Sequence, residues 1–359
     1  MFLLEVAVAL LLALFAYLAA FTRWATRQTH RDEYFRRPVA ERRVLKARID
    51  RWSRPIRPVL ELIAPIRRDK VFLMEKYEGF TAPGGICSRE TFAAAHHYKP
   101  RPEDVFVATQ MKCGTTWMQQ IVYEAVCRGR GNLGDDGHRH MYATSPWIES
   151  TGSVSMEDAP LVGEKPTRII KTHFPAALCP YDERARYIYV LRHPVSCFAS
   201  SVDFMKSAMG PMVPDRQGLL DWFCSENMWW GPWPDHAEGW WRWRERENVL
   251  FLHYEEMKED LAGAVGQVND FLGLDLDASE RALVTEKSDY LWMKERQDWF
   301  EMHAPTLFSG SGAFFNKGTR NRHEDASPGE SERIHRFCRE RLAGGEYPLA
   351  RFYPDVAEG

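Results

Sequence analysis

Three short apolar runs in this 359-residue chain end in basic residues whose types and spacing suit the handling of an anion. The first is Val105-Phe-Val-Ala-Thr-Gln-Met-Lys112-Cys113-Gly114-Thr115-Thr116-Trp117, which reads as a strand, a tight loop with one lysine and the start of a helix. The first N–H groups of a helix are unpaired and carry partial positive charge, so a loop entering one with glycine and two hydroxyls can wrap a phosphate. Lys112 adds a full charge. Taken alone, the loop also fits an ordinary βα turn capped by Thr115. The second run, Thr167-Arg-Ile-Ile-Lys171-Thr-His173, stops at Phe174-Pro175, and the third, Arg186-Tyr-Ile-Tyr-Val-Leu-Arg192, stops at His193-Pro194. A single His before Phe-Pro is commonly a structural hydrogen-bonder, and a single Arg before His-Pro can cap a turn. Three basic strand ends in one register point instead to a shared anion site.

The elements that must position these residues follow from periodicity. β-branched and aromatic residues mark the strands, and Trp117, Met118, Ile121, Val122, Ala125 and Val126 recur at helical spacing. Apolar strands alternating with helices predict an α/β fold: a P-loop-like central, mainly parallel sheet flanked by helices, with ligands beyond the strand C-termini. A fourth strand is expected over Asn248–Tyr254, and helices over Val195–Met209 and Glu330–Leu342. Seven tryptophans crowd Trp222–Trp243, a stripe that reads as core or interface packing ahead of ligand contact. Seven scattered cysteines with no Cys-x-x-Cys pair argue for a reduced compartment and against a zinc site or disulfide framework.

Lys112-x-Gly-Thr-Thr-Trp117 after a strand, Lys171-Thr-His173-x-Pro175, and Tyr189-Val-Leu-Arg192 followed by Ser200 resemble the cytosolic-type sulfotransferases that use 3′-phosphoadenosine 5′-phosphosulfate (PAPS). The resemblance covers roughly residues 100–320. It implies that Lys112 and the backbone N–H groups of Cys113, Gly114, Thr115, Thr116 and Trp117 hold the 5′-phosphosulfate, and that His173 is the general base. By the same resemblance, Lys171 steadies the sulfuryl group in flight, Arg192 and Ser200 bind the 3′-phosphate, and Tyr254 lies near the adenine. Lys287-Ser288-Asp-Tyr290-Leu-Trp-Met293 is similar to the family's Thr-x-Phe-x-x-Met adenine contact, which carries Ser288, Tyr290 and Met293 into the site. Asn316-Lys317-Gly318 resembles the family's Arg-Lys-Gly phosphate clamp, with Asn316 for the arginine; Arg320 or Arg322 could replace the missing charge. The family's dimer-forming segment is not recognisable in Arg320–Ser327, so the usual dimer is not expected. Positioning and electrostatics carry such a transfer, so no metal is expected. Cys113, beside a lysine and a helix N-terminus, is expected to be an acidified, reactive thiol that PAPS protects.

Val6 to Phe21 is apolar throughout and, extended by Phe2–Leu4, reaches the roughly twenty residues a bilayer core requires. A cleaved signal peptide would need a basic start, which Met-Phe-Leu-Leu-Glu lacks. Residues 22–70 hold fifteen Lys/Arg against six Asp/Glu, and residues 71–359 carry a net −11. The sequence thus divides into a transmembrane helix (1–21), a basic juxtamembrane linker (22–70) and a catalytic domain (71–359). The positive-inside rule places that domain in the cytoplasm. The linker reads equally as an amphipathic helix on anionic lipid or a solvated tether. The basic charge belongs to a segment and forms no nucleic-acid face. The leading expectation is sulfuryl transfer to a hydroxyl or phenol of a hydrophobic acceptor, its pocket built from loops at 81–99, 141–147 and 205–222. Two alternatives stay open: a non-catalytic nucleotide-binding membrane protein, and a P-loop kinase. The kinase is disfavoured because Lys112 precedes Gly114 rather than following a Gly-x-x-x-x-Gly run.

Overall fold

The computed structural model describes residues 2–29, 33–63, 74–134, 140–302, 304–305 and 322–358. Its centre is a four-stranded parallel sheet in the order β4-β3-β5-β6, formed by β3 (Asp104–Thr109), β4 (Arg168–Thr172), β5 (Arg186–Leu191) and β6 (Val249–His253). Strands β1 (Met74–Tyr77) and β2 (Phe80–Pro83) make a separate antiparallel hairpin. Every residue of β3 and β4 is buried. That is why these runs are continuously apolar rather than alternating: helices cover both faces.

Side chains from alternate strand positions feed two apolar layers. Val105, Val107, Ile188 and Val190 meet the helices Thr115–Val126 and Leu261–Leu272 on one face. Phe106, Tyr187, Tyr189 and Leu191 face the tryptophan-rich side, where Trp233 and Trp240 are fully buried. The tryptophan stripe is thus core, as the sequence leads one to expect, and two of its indole N–H groups have work there: Trp233 donates to the Arg192 carbonyl at 2.9 Å and Trp240 to the Phe174 carbonyl at 3.1 Å. Both carbonyls belong to the segments that leave β5 and β4, so packing and site geometry are set together.

The N-terminal helix Phe2–Gln28 contains a stretch, Leu4–Gln28, long and apolar enough to cross a membrane. Its far end touches the body. Tyr17 donates to the Trp52 carbonyl at 2.6 Å, and the rings of Trp24 and Trp52 lie 4.7 Å apart. The basic segment that follows also packs inward: Tyr34, Phe35, Arg42, Leu45 and Ile49 are buried. A helix Val39–Ser53 holds Arg42 against Glu301 at 2.8 Å, and Lys46 reaches the same carboxylate at 3.0 Å. Neither a lipid-surface helix nor a solvated tether describes these residues, because burying Arg42 requires the carboxylate that Glu301 supplies.

Candidate active site

The loop between β3 and the helix Thr115–Val126 is bent by two residues in the left-handed region, Lys112 (φ 65°) and Gly114 (φ 105°). Gly114 is required twice over. Its backbone favours glycine, and a Cβ there would lie 2.9 Å from Cδ2 of Tyr254. Gly114→Ala is expected to weaken binding of adenosine 3′,5′-bisphosphate (PAP) at least tenfold while the chain stays folded, measured by calorimetry beside a circular dichroism melt. The loop is held from outside by Gln110, whose amide donates to the Trp229 and Gly231 carbonyls at 2.9 and 2.7 Å. Trp117 extends it toward the 288–293 segment by donating to the Ser288 carbonyl at 2.7 Å.

Cations converge on this loop. Arg192, at the end of β5, is 5% exposed, donates to the Lys112 carbonyl at 3.2 Å and stacks 4.3 Å over the Tyr254 ring. Arg322 is near enough to act on Lys112 and is itself paired with Asp203 at 2.6 Å. Of the two arginines proposed to replace the family's clamp residue, Arg322 thus stands by the site; Arg320 and the clamp itself, Asn316, Lys317 and Gly318, lie outside the described residues. Several polar atoms here are buried with no partner: Arg192 Nε, Ser196 Oγ and Ser288 Oγ. Burial without a hydrogen bond is costly, so each of these groups calls for a polar partner from outside the described residues. Ser200, on the helix Pro194–Met209, is partly buried.

Burial pulls the Lys112 ammonium down to about 8, with Arg192 and Arg322 adding to the effect. An anion favours the charged lysine, so its binding takes up a proton once the free chain has begun to lose one. PAP affinity is therefore expected to fall between pH 8 and 9 relative to its value at pH 7.5, as titration calorimetry in two buffers would show.

At the end of β4, His173 is 1% exposed. Its Nδ1 donates to the Thr109 carbonyl at 2.8 Å, which fixes the tautomer and leaves Nε2 as a lone-pair base. Nε2 makes no hydrogen bond among the described residues. Burial first, then Lys171, holds the ring well below the ordinary histidine range, so it is neutral at pH 7. The indoles of Trp147 and Trp230 flank it at 5.3 and 4.7 Å. Glu149, which sequence reasoning missed, accepts from the His173 backbone N–H and from Trp147 Nε1, both at 2.7 Å. A lone acid in an irregular stretch gives no signal that it will be buried under a catalytic loop.

Lys171 points elsewhere than a sulfuryl-steadying role alone requires. Its ammonium donates to the Tyr142 hydroxyl at 2.6 Å and lies 3.5 Å over the Trp147 ring. Burial pulls it down to about 7, against the opposing pull of Glu149. Its contacts make it a support of the wall beside His173.

Tyr254 meets Trp117 edge-on at 5.2 Å, and Met293, on the helix Tyr290–Glu295, is buried in the same apolar cluster. Ser288, whose carbonyl accepts from Trp117, joins this group to the loop. Cys113 departs from expectation. It is fully buried with its Sγ 3.8 Å from that of Cys197, and burial pushes its thiol well above the usual range. The helix field does not acidify a sulfur that no solvent reaches. The native chain is expected to withstand alkylation: mass spectrometry should find Cys113 labelled only after unfolding.

Residues 102–346 match the sulfotransferase domain family. The 3-alpha-hydroxysteroid sulfotransferase of Cavia porcellus is 30% identical over 283 residues, which cover 77% of this chain and 96% of that protein. Among solved structures, the mouse sulfotransferase SULT7A1 complexed with PAP superposes with a TM-score of 0.61 at 23% identity, covering 80% of this chain and 99% of that one. Retinol dehydratase in complex with androsterone and PAP gives a TM-score of 0.59 at 20% identity, over 72% of this chain and 87% of that one.

Proposed function

Because the chain belongs to the sulfotransferase family, we propose that it moves the sulfuryl group of PAPS onto a hydroxyl of a hydrophobic, steroid-like acceptor at a membrane. The observation that carries the reading is the meeting of a loop entering a helix N-terminus, a buried arginine whose Nε has no partner among the described residues, and a neutral histidine whose Nδ1 is bonded to a backbone carbonyl, at the C-terminal edge of one parallel sheet.

His173 Nε2 takes the acceptor proton as the acceptor oxygen bonds to sulfur. The bond from sulfur to the bridging phosphate oxygen breaks, PAP leaves with the electron pair, and Lys112 neutralises the charge that builds there. The loop N–H groups from Cys113 to Trp117 hold the 5′-phosphate. Arg192 takes the 3′-phosphate with Ser200, Lys317 and Gly318, and Arg322 supplies charge that Asn316 lacks. Tyr254, Ser288, Tyr290 and Met293 take the adenine. Lys171 keeps Tyr142 and Trp147 in place and adds positive potential beside the transferring group.

The acceptor class rests on the apolar walls around His173, on the steroid named for the Cavia porcellus relative, and on the androsterone in the retinol dehydratase complex. The helix Leu4–Gln28 as an anchor, with the basic segment behind it, gives a single-pass protein whose catalytic domain faces the cytoplasm. Acceptors that partition into lipid would reach such a site from the bilayer.

A transfer screen with labelled PAPS and the full chain in detergent tests the reading, using sterols, other lipid alcohols and phenols. Sulfated sterol or lipid alcohol is the expected product, and transfer only to small water-soluble phenols would overturn the acceptor class. If the labelled group were a phosphoryl from ATP, in a reaction that EDTA stops, the kinase reading would replace this one.

A further inference from the structure

We propose that His193, His335 and Asp355 form a site for one divalent transition-metal ion, zinc foremost, which ties the C-terminal tail to the loop carrying Arg192. The three residues come from three places: the cap of the helix Pro194–Met209, the middle of the helix Pro328–Leu342, and the final turn Pro354–Glu358. Their ligand atoms all lie within 4.8 Å of one another.

His193 Nε2 is 2.9 Å and His335 Nε2 is 3.9 Å from Asp355 Oδ2. Around an ion with bonds of about 2.0–2.1 Å, tetrahedral donors stand roughly 3.3–3.5 Å apart, and the two observed spacings bracket that value. The plainer account is a hydrogen bond from His193 to Asp355. It leaves His335 Nε2 buried without a hydrogen bond among the described residues, since 3.9 Å is too long for one. An ion satisfies that nitrogen and the carboxylate together. Two imidazoles and one carboxylate form a ligand set typical of zinc, and an open fourth position falls to water or to His323, whose ring centre is 5.2 Å from that of His193. Asp355 is half-exposed, which gives the ion an entry path.

The loop is already prepared to be held. Glu255 accepts from the His193 backbone N–H at 3.1 Å and from the Tyr353 hydroxyl at 3.2 Å, so the tail and the loop share a carboxylate beside the cluster. Arg192 immediately precedes His193, and Arg322 immediately precedes His323. An ion here fixes the two arginines assigned above to the 3′-phosphate, a consequence that rests on the proposed function; the ion site itself does not.

The full chain in detergent, without a polyhistidine tag and stripped by chelator, is titrated with Co²⁺, and its zinc content after purification is measured by elemental analysis. The expected result is one ion per chain with the intense visible absorption of tetrahedral cobalt, displaced by Zn²⁺. His335→Gln and Asp355→Asn each weaken binding more than tenfold, and wild-type affinity for PAP falls several-fold on stripping while that of His335→Gln does not respond. No saturable binding, or unchanged binding in either variant, overturns the site. Should a variant unfold, the wild-type spectrum decides: four-coordinate bands uphold the site, and a pale octahedral spectrum overturns it. A bound ion with no sulfuryl transfer would leave the site standing and remove the functional reading instead.

Discussion

His173→Ala is expected to lower kcat for sulfuryl transfer by roughly 10²–10⁴ while leaving the affinity for PAP unchanged. The separation follows from where the ring is held. Among the described residues, none assigned to the phosphates hydrogen-bonds to it; its Nδ1 is spent on the Thr109 carbonyl, its backbone N–H on Glu149 and its carbonyl on His236, at 2.8, 2.7 and 3.0 Å. Each contact fixes direction, so the lone pair on Nε2 is aimed rather than free to rotate. The same burial predicts the pH profile. A base works when deprotonated, and burial keeps this ring neutral well below the ordinary histidine range. The acid limb of kcat/KM, which reports the free chain, is therefore expected to fall below pH 6.5, and at the upper end Lys171, pulled down to about 7, and Lys112, at about 8, lose charge as pH rises. Stopped assays from pH 5 to 9 on wild type and His173→Ala would check both. A variant that turns over within a few-fold of wild type would move the base to another residue.

What the sequence made legible is what local chemistry writes locally. Strand ends at Lys112, His173 and Arg192 stand out because a basic residue after a buried β-branched run is unusual, and the parallel sheet brings them to one edge. The four strands lie within a residue or so of the positions expected from β-branched and aromatic content. The misses are contacts between distant segments. Glu149 supports His173 across an irregular stretch, and His193, His335 and Asp355 meet only because the last helix folds back over the loop after β5. No spacing rule connects them. Cys113 misled for a physical reason: a helix N-terminus acidifies a thiol only where the thiolate can be solvated or paired, and here the sulfur faces Cys197 in the core. Composition marks the basic segment as charged, yet the decisive fact is that, among its described residues, one arginine is buried.

That arginine carries the second large effect. Arg42→Ala is expected to destabilise the catalytic body by about 3–5 kcal/mol, because it strands the Glu301 carboxylate in a buried position with only part of its former pairing. Arg42 is 1% exposed and donates to Glu301 Oε1 at 2.8 Å and to the Asp298 carbonyl, while Tyr34 donates to the same Glu301 oxygen at 3.2 Å. The next residue, Met302, touches the Lys112 ammonium at 3.3 Å. In the short helix that precedes that of Arg42, Glu33–Arg36, Phe35 packs edge-on against Tyr142 at 5.2 Å, the tyrosine that Lys171 holds. The segment from Glu33 to Ser53 therefore braces both sides of the site, the phosphate loop through Met302 and the acceptor wall through Tyr142. Thermal unfolding of Arg42→Ala should drop on the order of 10 °C, with transfer activity falling alongside. Arg42→Met combined with Glu301→Gln should recover most of the loss, since removing both charges leaves none buried alone. A body beginning at residue 71 tests the same point from the other side, for it keeps every residue assigned to chemistry and loses the brace. If that fragment matched the full chain in melting temperature and turnover, the linker would be a tether after all and the contacts of Arg42 would be incidental.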